Sequence, residues 1–353
     1  MYIARLADGY IVKRMPETGD RHAPDCPSYE PPAELSGVRP LLGTAIREDP
    51  GTGLTMLKLG FSLSRRPGRA NSPTSTSAHN TVSSSSARLS LRALLHYLWD
   101  QAELTRWHPG FEGRRTWGAI RHQLIRAATH MYACGDTLAA KLDVPEPFSV
   151  EQRDSINERR KNTWSAAASA AARTGSQAML LLVAEVKAIQ AARFGHKVII
   201  KHMPDLSLSL NESTRQQIER RFERELVLWS AAHGVHLIMI ATVCIDVAGL
   251  PRVVELSLMT VTQHWLPVEN AFEIELMHGL VKNRRSFSRT LRYDLPASAR
   301  IPSLVLTDEP GAAVAVFIAA SSAPQSHARR ELVTTAAHIP PAKSLETPLH
   351  TAA

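Results

Sequence analysis

Apolar side chains along this chain follow two rhythms, a period of two near both ends and a helical period in the middle. Tyr2, Ile3, Tyr10, Ile11 and Val12 flank Asp8-Gly9, a hairpin turn signal, and Leu57, Leu59, Phe61 and Leu63 alternate as in a half-buried strand. Residues 1–63 are therefore predicted to form a small β-rich unit, looped out at 15–32. Residues 64–88 begin Arg65-Arg66-Pro67-Gly68-Arg69 and continue in Ser, Thr, Asn and Pro. With so little to bury, this stretch is predicted to be a disordered linker. From residue 89 the spacing turns helical: Leu91, Leu94, Leu95, Leu98 and Ala102 share one face, then Trp117, Ile120, Leu124 and Ala128 another, stopped by Gly135. Ser149 with Gln152 fits a capping box opening a third helix that fades into the alanine run 166–172.

Residues 177–320 return to strands, expected at 179–190, 196–202, 236–247, 252–262, 287–293, 303–306 and 312–318. A helix from Asn211 or Ser213 carries the stripe Ile218, Phe222, Leu226, Trp229 and ends at Gly234; another spans 269–283. Residues 321–353, rich in Ala, Ser, Pro and His, read as a disordered tail. The predicted class is α+β: an N-terminal small β unit (1–63), a central helical segment (89–176), and a C-terminal domain (177–320) with a mixed, mostly antiparallel sheet and two packed helices. Hairpin connections outnumber βαβ crossovers, which sets the sheet type.

Composition narrows the setting. Three cysteines, Cys26, Cys134 and Cys244, are too few and too scattered for a disulfide framework, which fits a reducing cytoplasm. Cys134 and Cys244 read as small core residues. The longest mostly apolar run, 237–245, is too short to span a bilayer, so no membrane partner is expected. The chain opens directly in strand, which suggests further sequence upstream. Its 41 Lys and Arg against 33 Asp and Glu leave a net charge of +8, compatible with an anionic partner.

That charge is concentrated. Between Phe61 and His130 stand ten arginines (65, 66, 69, 88, 92, 106, 114, 115, 121 and 126), no lysine, and only Asp100, Glu103 and Glu112 as acids. The guanidinium fork suits phosphate, and Trp99, Trp107 and Trp117 are interspersed. Arg106, Arg114, Arg115, Arg121, Trp107 and Trp117 are thus candidates for a nucleic-acid surface. The alternative is a solvated helix face with core tryptophans.

Glu185-Val186-Lys187 ends an apolar strand, and alternation would project Glu185 and Lys187 together. Nucleases of the PD-(D/E)xK type use that geometry, the acid holding Mg²⁺. Their aspartate, however, precedes this strand; here Asp205 follows it. A surface ion pair is the competing reading. Glu269 and Glu273 also echo the nuclease layout, but the strand that should carry Glu-x-Lys is wholly apolar, so they read better as acids at a helix N-terminus. His22 and Cys26 could be two zinc ligands where a structural site needs four. Of His233 and His236, which straddle Gly234, one is expected to cap a helix C-terminus.

The strings Arg21-His22-Ala23-Pro24-Asp25-Cys26-Pro27, Leu95-His96-Tyr97-Leu98-Trp99, Pro145-Glu146-Pro147-Phe148, Gly195-His196-Lys197, Lys201-His202-Met203-Pro204-Asp205 and Leu291-Arg292-Tyr293-Asp294 resemble the proteobacterial family described as domain of unknown function 1173. The resemblance implies association with plasmids and integrated mobile elements, and no mechanism. It also implies an upstream Cys-x-Cys segment, absent here, that would complete a zinc site with His22 and Cys26. The leading expectation is a cytoplasmic mobile-element accessory that binds nucleic acid through its arginine-rich segment. The alternatives are a Mg²⁺-dependent nuclease at Glu185, Lys187 and Asp205, or a non-catalytic protein-interaction module.

Overall fold

The structure, a computed structural model, describes residues 2–6, 9–13, 18–65, 87–172, 177–193, 195–245, 250–309, 312–318 and 334–338. The chain opens with an antiparallel hairpin, β1 (Tyr2–Leu6) and β2 (Gly9–Lys13). Short strands β3 (Ile46–Glu48), β4 (Thr55–Leu57) and β5 (Ser64–Arg65) follow. Most of the linker expectation, residues 66–86, lies outside the described residues.

Helix α1 (Leu91–Gln101) is capped by Ser90, whose hydroxyl accepts from the Ala93 N–H. Next come β6 (Arg106–Trp107) and α2 (Trp117–Thr129), the latter capped by Thr116. Gly135 does not stop α2. Strand β7 (Met131–Ala133) intervenes, and Cys134 and Gly135 form the two-residue turn from it to β8 (Asp136–Thr137), with φ of 53° and 80°. Cys134 is consequently exposed, whereas Cys244 is buried as expected. After β9 (Leu142–Asp143), α3 (Arg153–Ala172) starts later than the Ser149 capping pattern indicates.

The centre of the molecule is β10 (Gln177–Ala191), followed by β11 (His196–Ile200) and β12 (Ser207–Leu210), a strand the sequence pattern did not reveal. The expected helix 211–234 is two helices, α4 (Glu212–Arg221) and α5 (Glu223–Ala231), broken at Phe222. The break serves two cores: Ile218 and Phe222 pack into one and Leu228 into another. Strands β13 (His236–Ile245) and β14 (Pro251–Val261) form a long antiparallel pair. Then come β15 (Pro267–Val268), α6 (Ala271–Lys282), β16 (Phe287–Arg289), β17 (Leu304–Leu306) and β18 (Val314–Ile318). Within the expected tail, Thr334–His338 forms β19, which pairs antiparallel with β18. Its Thr-rich, Pro-free backbone satisfies the open edge of β18; the rest of 321–353 lies outside the described residues.

The fold is α+β. In its principal sheet β10 pairs with β13 on one side and β11 on the other, and β13–β14, β14–β12 and β12–β11 complete a closed circuit of five strands. One face of this circuit carries Leu180, Leu182, Ala184, Val186, Val198, Leu208, Leu237, Met239 and Val253 in a single apolar core with Ile218, Phe222 and Trp164. The opposite face, Leu181, Val183, Ile238, Ile240, Met259 and Val261, shares a second core with α1, α2 and Leu41 to Leu63 of the N-terminal part. Alternation along β10 thus feeds two cores, and Glu185 falls on the second face.

Candidate functional site

Glu185 sits on β10 directly opposite Ile238 of β13, and its side chain is 4% exposed. Three nitrogens converge on its carboxylate. Lys201, the first residue after β11, donates from Nζ to Oε1 at 2.7 Å. His236, which opens β13 and lies on the same face as Ile238, places Nδ1 2.7 Å from the same oxygen. His202 places Nε2 3.5 Å from Oε2, a length that leaves both of those buried atoms without a formed hydrogen bond. Burial alone would push the Glu185 carboxyl up, but the His202, His236 and Lys201 donors outweigh it and hold the group well below the usual carboxylate range.

An ionised Glu185 fixes both imidazoles. Only an N–H can face a carboxylate at 2.7 Å, so His236 carries a proton on Nδ1, and in its neutral form Nε2 holds the lone pair. For His202 the backbone sets the tautomer: the Phe148 N–H donates to Nδ1 at 3.3 Å. Neutral His202 therefore bears its proton on Nε2, aimed at Oε2 of Glu185.

Two indoles hold these rings in place. Trp265 stacks on His236 with centroids 4.6 Å apart and planes within 1°, and Trp117 stacks on His202 at 5.2 Å and 10°. The two indoles touch each other at 5.5 Å, closing a ring of Glu185, His236, Trp265, Trp117 and His202. Trp117 donates Nε1–H to the Pro145 carbonyl and Trp265 to that of Arg115, so neither indole can turn. Trp265 occupies the left-handed region at φ 63°. That costs a side-chain-bearing residue on the order of 1 kcal/mol and is tolerated where surrounding contacts over-determine it. The site stays partly open: the side chains of Lys201 and His236 are 46% and 23% exposed.

The sequence-predicted residues distribute as follows. Glu185 is at the centre. Lys187 is not beside it, because a β-bulge between Val186 and Ala188 interrupts the alternation and leaves Lys187 exposed. The lysine that pairs with Glu185 comes instead from the end of the neighbouring strand. Asp205 is held by Arg160 at 2.8 Å, separate from the Glu185 cluster. A Mg²⁺ ion does not fit these residues: the Glu185 oxygens face an ammonium and two imidazole N–H groups, and a hard cation needs oxygen donors.

Most of the candidate residues in the arginine-rich segment are engaged by the protein itself. Trp107 and Trp117 are buried. The Arg115 guanidinium donates to the Leu104, His264, Arg106 and Glu103 carbonyls and lies over the Trp107 and Phe111 rings; burial lowers its pKa to about 10. Arg106 binds the Pro27 carbonyl and Glu30, and Arg121 donates to the Val144 carbonyl. Of the four candidate arginines only Arg114, which precedes α2, is exposed; Arg88 and, on α2, His122 and Arg126 are exposed as well. These are anchors more than a continuous cationic surface.

His22 and Cys26 do meet, Nδ1 to Sγ at 3.7 Å, with the Ser28 N–H 3.4 Å from the sulfur. Among the described residues no three His, Cys, Asp or Glu side chains are grouped to hold a metal ion, so these two remain a pair. Glu269 and Glu273 serve the α6 N-terminus. Glu273 accepts from the Glu269 N–H and pairs with buried Arg289, and Glu269 pairs with Arg292 and Arg92. His236, expected as a possible helix cap, is a strand residue of the site. It, Lys201, His202 and Trp265 were missed as site residues. The available signal was polar residues placed where β11 ends and β13 begins, both neighbours of Glu185.

Among the described residues no helix is long and apolar enough to cross a membrane. A family model described as "Protein of unknown function (DUF1173)" matches residues 1–344. No curated protein and no solved structure matches the chain.

Proposed function

The chain belongs to the DUF1173 family, and for this member we propose an enzyme that works by acid–base catalysis, with the His236 imidazole as proton acceptor. One observation carries the reading: a buried carboxylate takes the Nδ1–H of a partly open imidazole at 2.7 Å, which leaves Nε2 as the basic nitrogen. Glu185 orients that ring and stabilises its protonated form. Lys201 supplies positive charge at the rim, and His202 with the two indoles positions the carboxylate.

Turnover of p-nitrophenyl acetate and bis(p-nitrophenyl) phosphate tests this. His236→Gln is expected to lose about 100-fold or more, the usual contribution of a general base, and Lys187→Ala to leave the rate unchanged. The absence of His236-dependent turnover of both compounds would refute the reading.

Nucleic-acid binding is a second reading, favoured by the exposed Arg114 just before α2 and the exposed His122 and Arg126 on it. Replacing Arg114 and Arg126 with Ala should flatten the salt dependence of binding by about one unit per lost phosphate contact; an unchanged slope removes this surface. The mobile-element setting that the resemblance implies, with the cytoplasmic one that the sparse cysteines suggest, belongs to this second proposal.

A further inference from the structure

We infer that the substrate of the Glu185–His236 site is an RNA phosphodiester, cleaved by its own 2′-hydroxyl; this rests on the acid–base reading above. The groups gathered there are one carboxylate, two imidazoles and one ammonium. None is a hydroxyl or thiol, Lys201 is held as an ammonium against Glu185, and His236 is read here as the base, so the nucleophile comes from water or from the substrate. The carboxylate is ringed by N–H donors and does not suit a divalent cation, so a diester attacked here by water would have no metal ion to activate that water. A substrate that carries its hydroxyl next to the phosphorus removes this difficulty, because the attack is intramolecular and gains the large advantage of proximity. RNA has that hydroxyl and DNA does not.

The rest of the site fits an RNA strand. Lys201, half-exposed at the rim, faces the charge that builds on the phosphoryl oxygens. Phe148 gives its N–H to His202 and the residue is 38% exposed, so its ring is available as a stacking face for a base near the site. In the step itself, His236 Nε2 takes the 2′-hydroxyl proton as the 2′-oxygen bonds to phosphorus. The bond from phosphorus to the 5′-oxygen breaks, and that oxygen takes a proton from solvent. His236 then returns its proton to solvent. The products are a 2′,3′-cyclic phosphate and a 5′-hydroxyl.

The test uses the full chain with a short fluorophore-labelled oligoribonucleotide, the DNA of the same sequence and its 2′-O-methyl counterpart, all in EDTA. Wild type, His236→Gln, Lys187→Ala and Phe148→Ala are purified in parallel. The expected result is cleavage of the RNA only, leaving cyclic phosphate ends, about 100-fold slower in His236→Gln and unchanged in Lys187→Ala. Phe148→Ala, a surface change, is expected to raise KM with kcat retained. Intact RNA, equal cutting of DNA or 2′-O-methyl RNA, or cleavage undiminished in a folded His236→Gln overturns the inference. If RNA survives while the activated esters are still turned over through His236, the substrate class alone falls; if neither is turned over, the acid–base reading falls with it.

Discussion

Replacing Glu185 with Gln keeps the shape of the side chain and removes its charge, so the result can be worked out contact by contact. Lys201 is half-exposed and rehydrates on losing its partner, at a cost of about 0–1 kcal/mol. The His236 contact becomes a bond to a neutral oxygen and loses its charge assistance, about 1 kcal/mol. The amide NH₂ is left facing His202 Nε2–H, two donors buried together, at about 1–3 kcal/mol. The sum, about 3 kcal/mol, lies at the low end of what breaking a buried ion pair costs. The pH dependence has a definite sign. The carboxyl is held below its ordinary value in the folded protein, so its stabilisation is complete above the unfolded value of about 4.3 and is lost as pH falls toward the folded one. The gap between wild type and Glu185→Gln should therefore be widest at neutral pH and shrink in acid. Urea unfolding followed by tryptophan fluorescence, with Trp117 and Trp265 beside the mutation, measures it as a shift in midpoint at unchanged slope. Equal midpoints at neutral pH, or a gap that widens in acid, would refute the assigned ionisation and the contacts behind it.

Other consequences are more local. Arg115→Lys keeps the charge but cannot reach four carbonyls from one planar fork; a loss of about 2 kcal/mol is expected by thermal unfolding, and no loss would mean the fork is not an anchor. Gly37→Ala would bring Cβ to 2.0 Å from the Arg292 carbonyl oxygen and should reduce stability by about 3 kcal/mol or more, or prevent soluble folding. Gly279→Ala, in the interior of α6 with nothing within 4 Å of the added atom, should instead stabilise by about 1 kcal/mol. Arg289→Ala leaves Glu273 buried without its 2.7 Å partner, expected to cost about 3–5 kcal/mol; the urea midpoint is the readout.

Much of the fold was readable locally. The spacing of Leu91, Leu94, Leu95 and Leu98 sets the buried face of α1, and the long apolar runs of β10 and β13 mark strands with a core on each face. Such patterns are legible because each side chain's partition between water and core depends on its own position in a short repeat. Glu185 could be singled out for the same reason, as a carboxylate in an apolar strand. Its partners could not. One bulge at Lys187 reverses the alternation, and the sequence around it carries no sign of where a strand takes an extra residue. The arginine cluster meets the same limit, since composition records charge but not which carbonyl each guanidinium meets.

The chain by itself determined which segments could be helix or strand, how much of each could be buried, and that one acid lay within an apolar run. Only the tertiary structure decided that Lys201, His202 and His236 surround that acid and that Trp117 and Trp265 fix the imidazoles. These residues come from two strand ends, a helix start and a turn, with Trp117 and Trp265 148 positions apart in the chain, and what unites them is pairing register. A register shift of one residue sends a side chain to the opposite face, so the site exists only once the strands have locked.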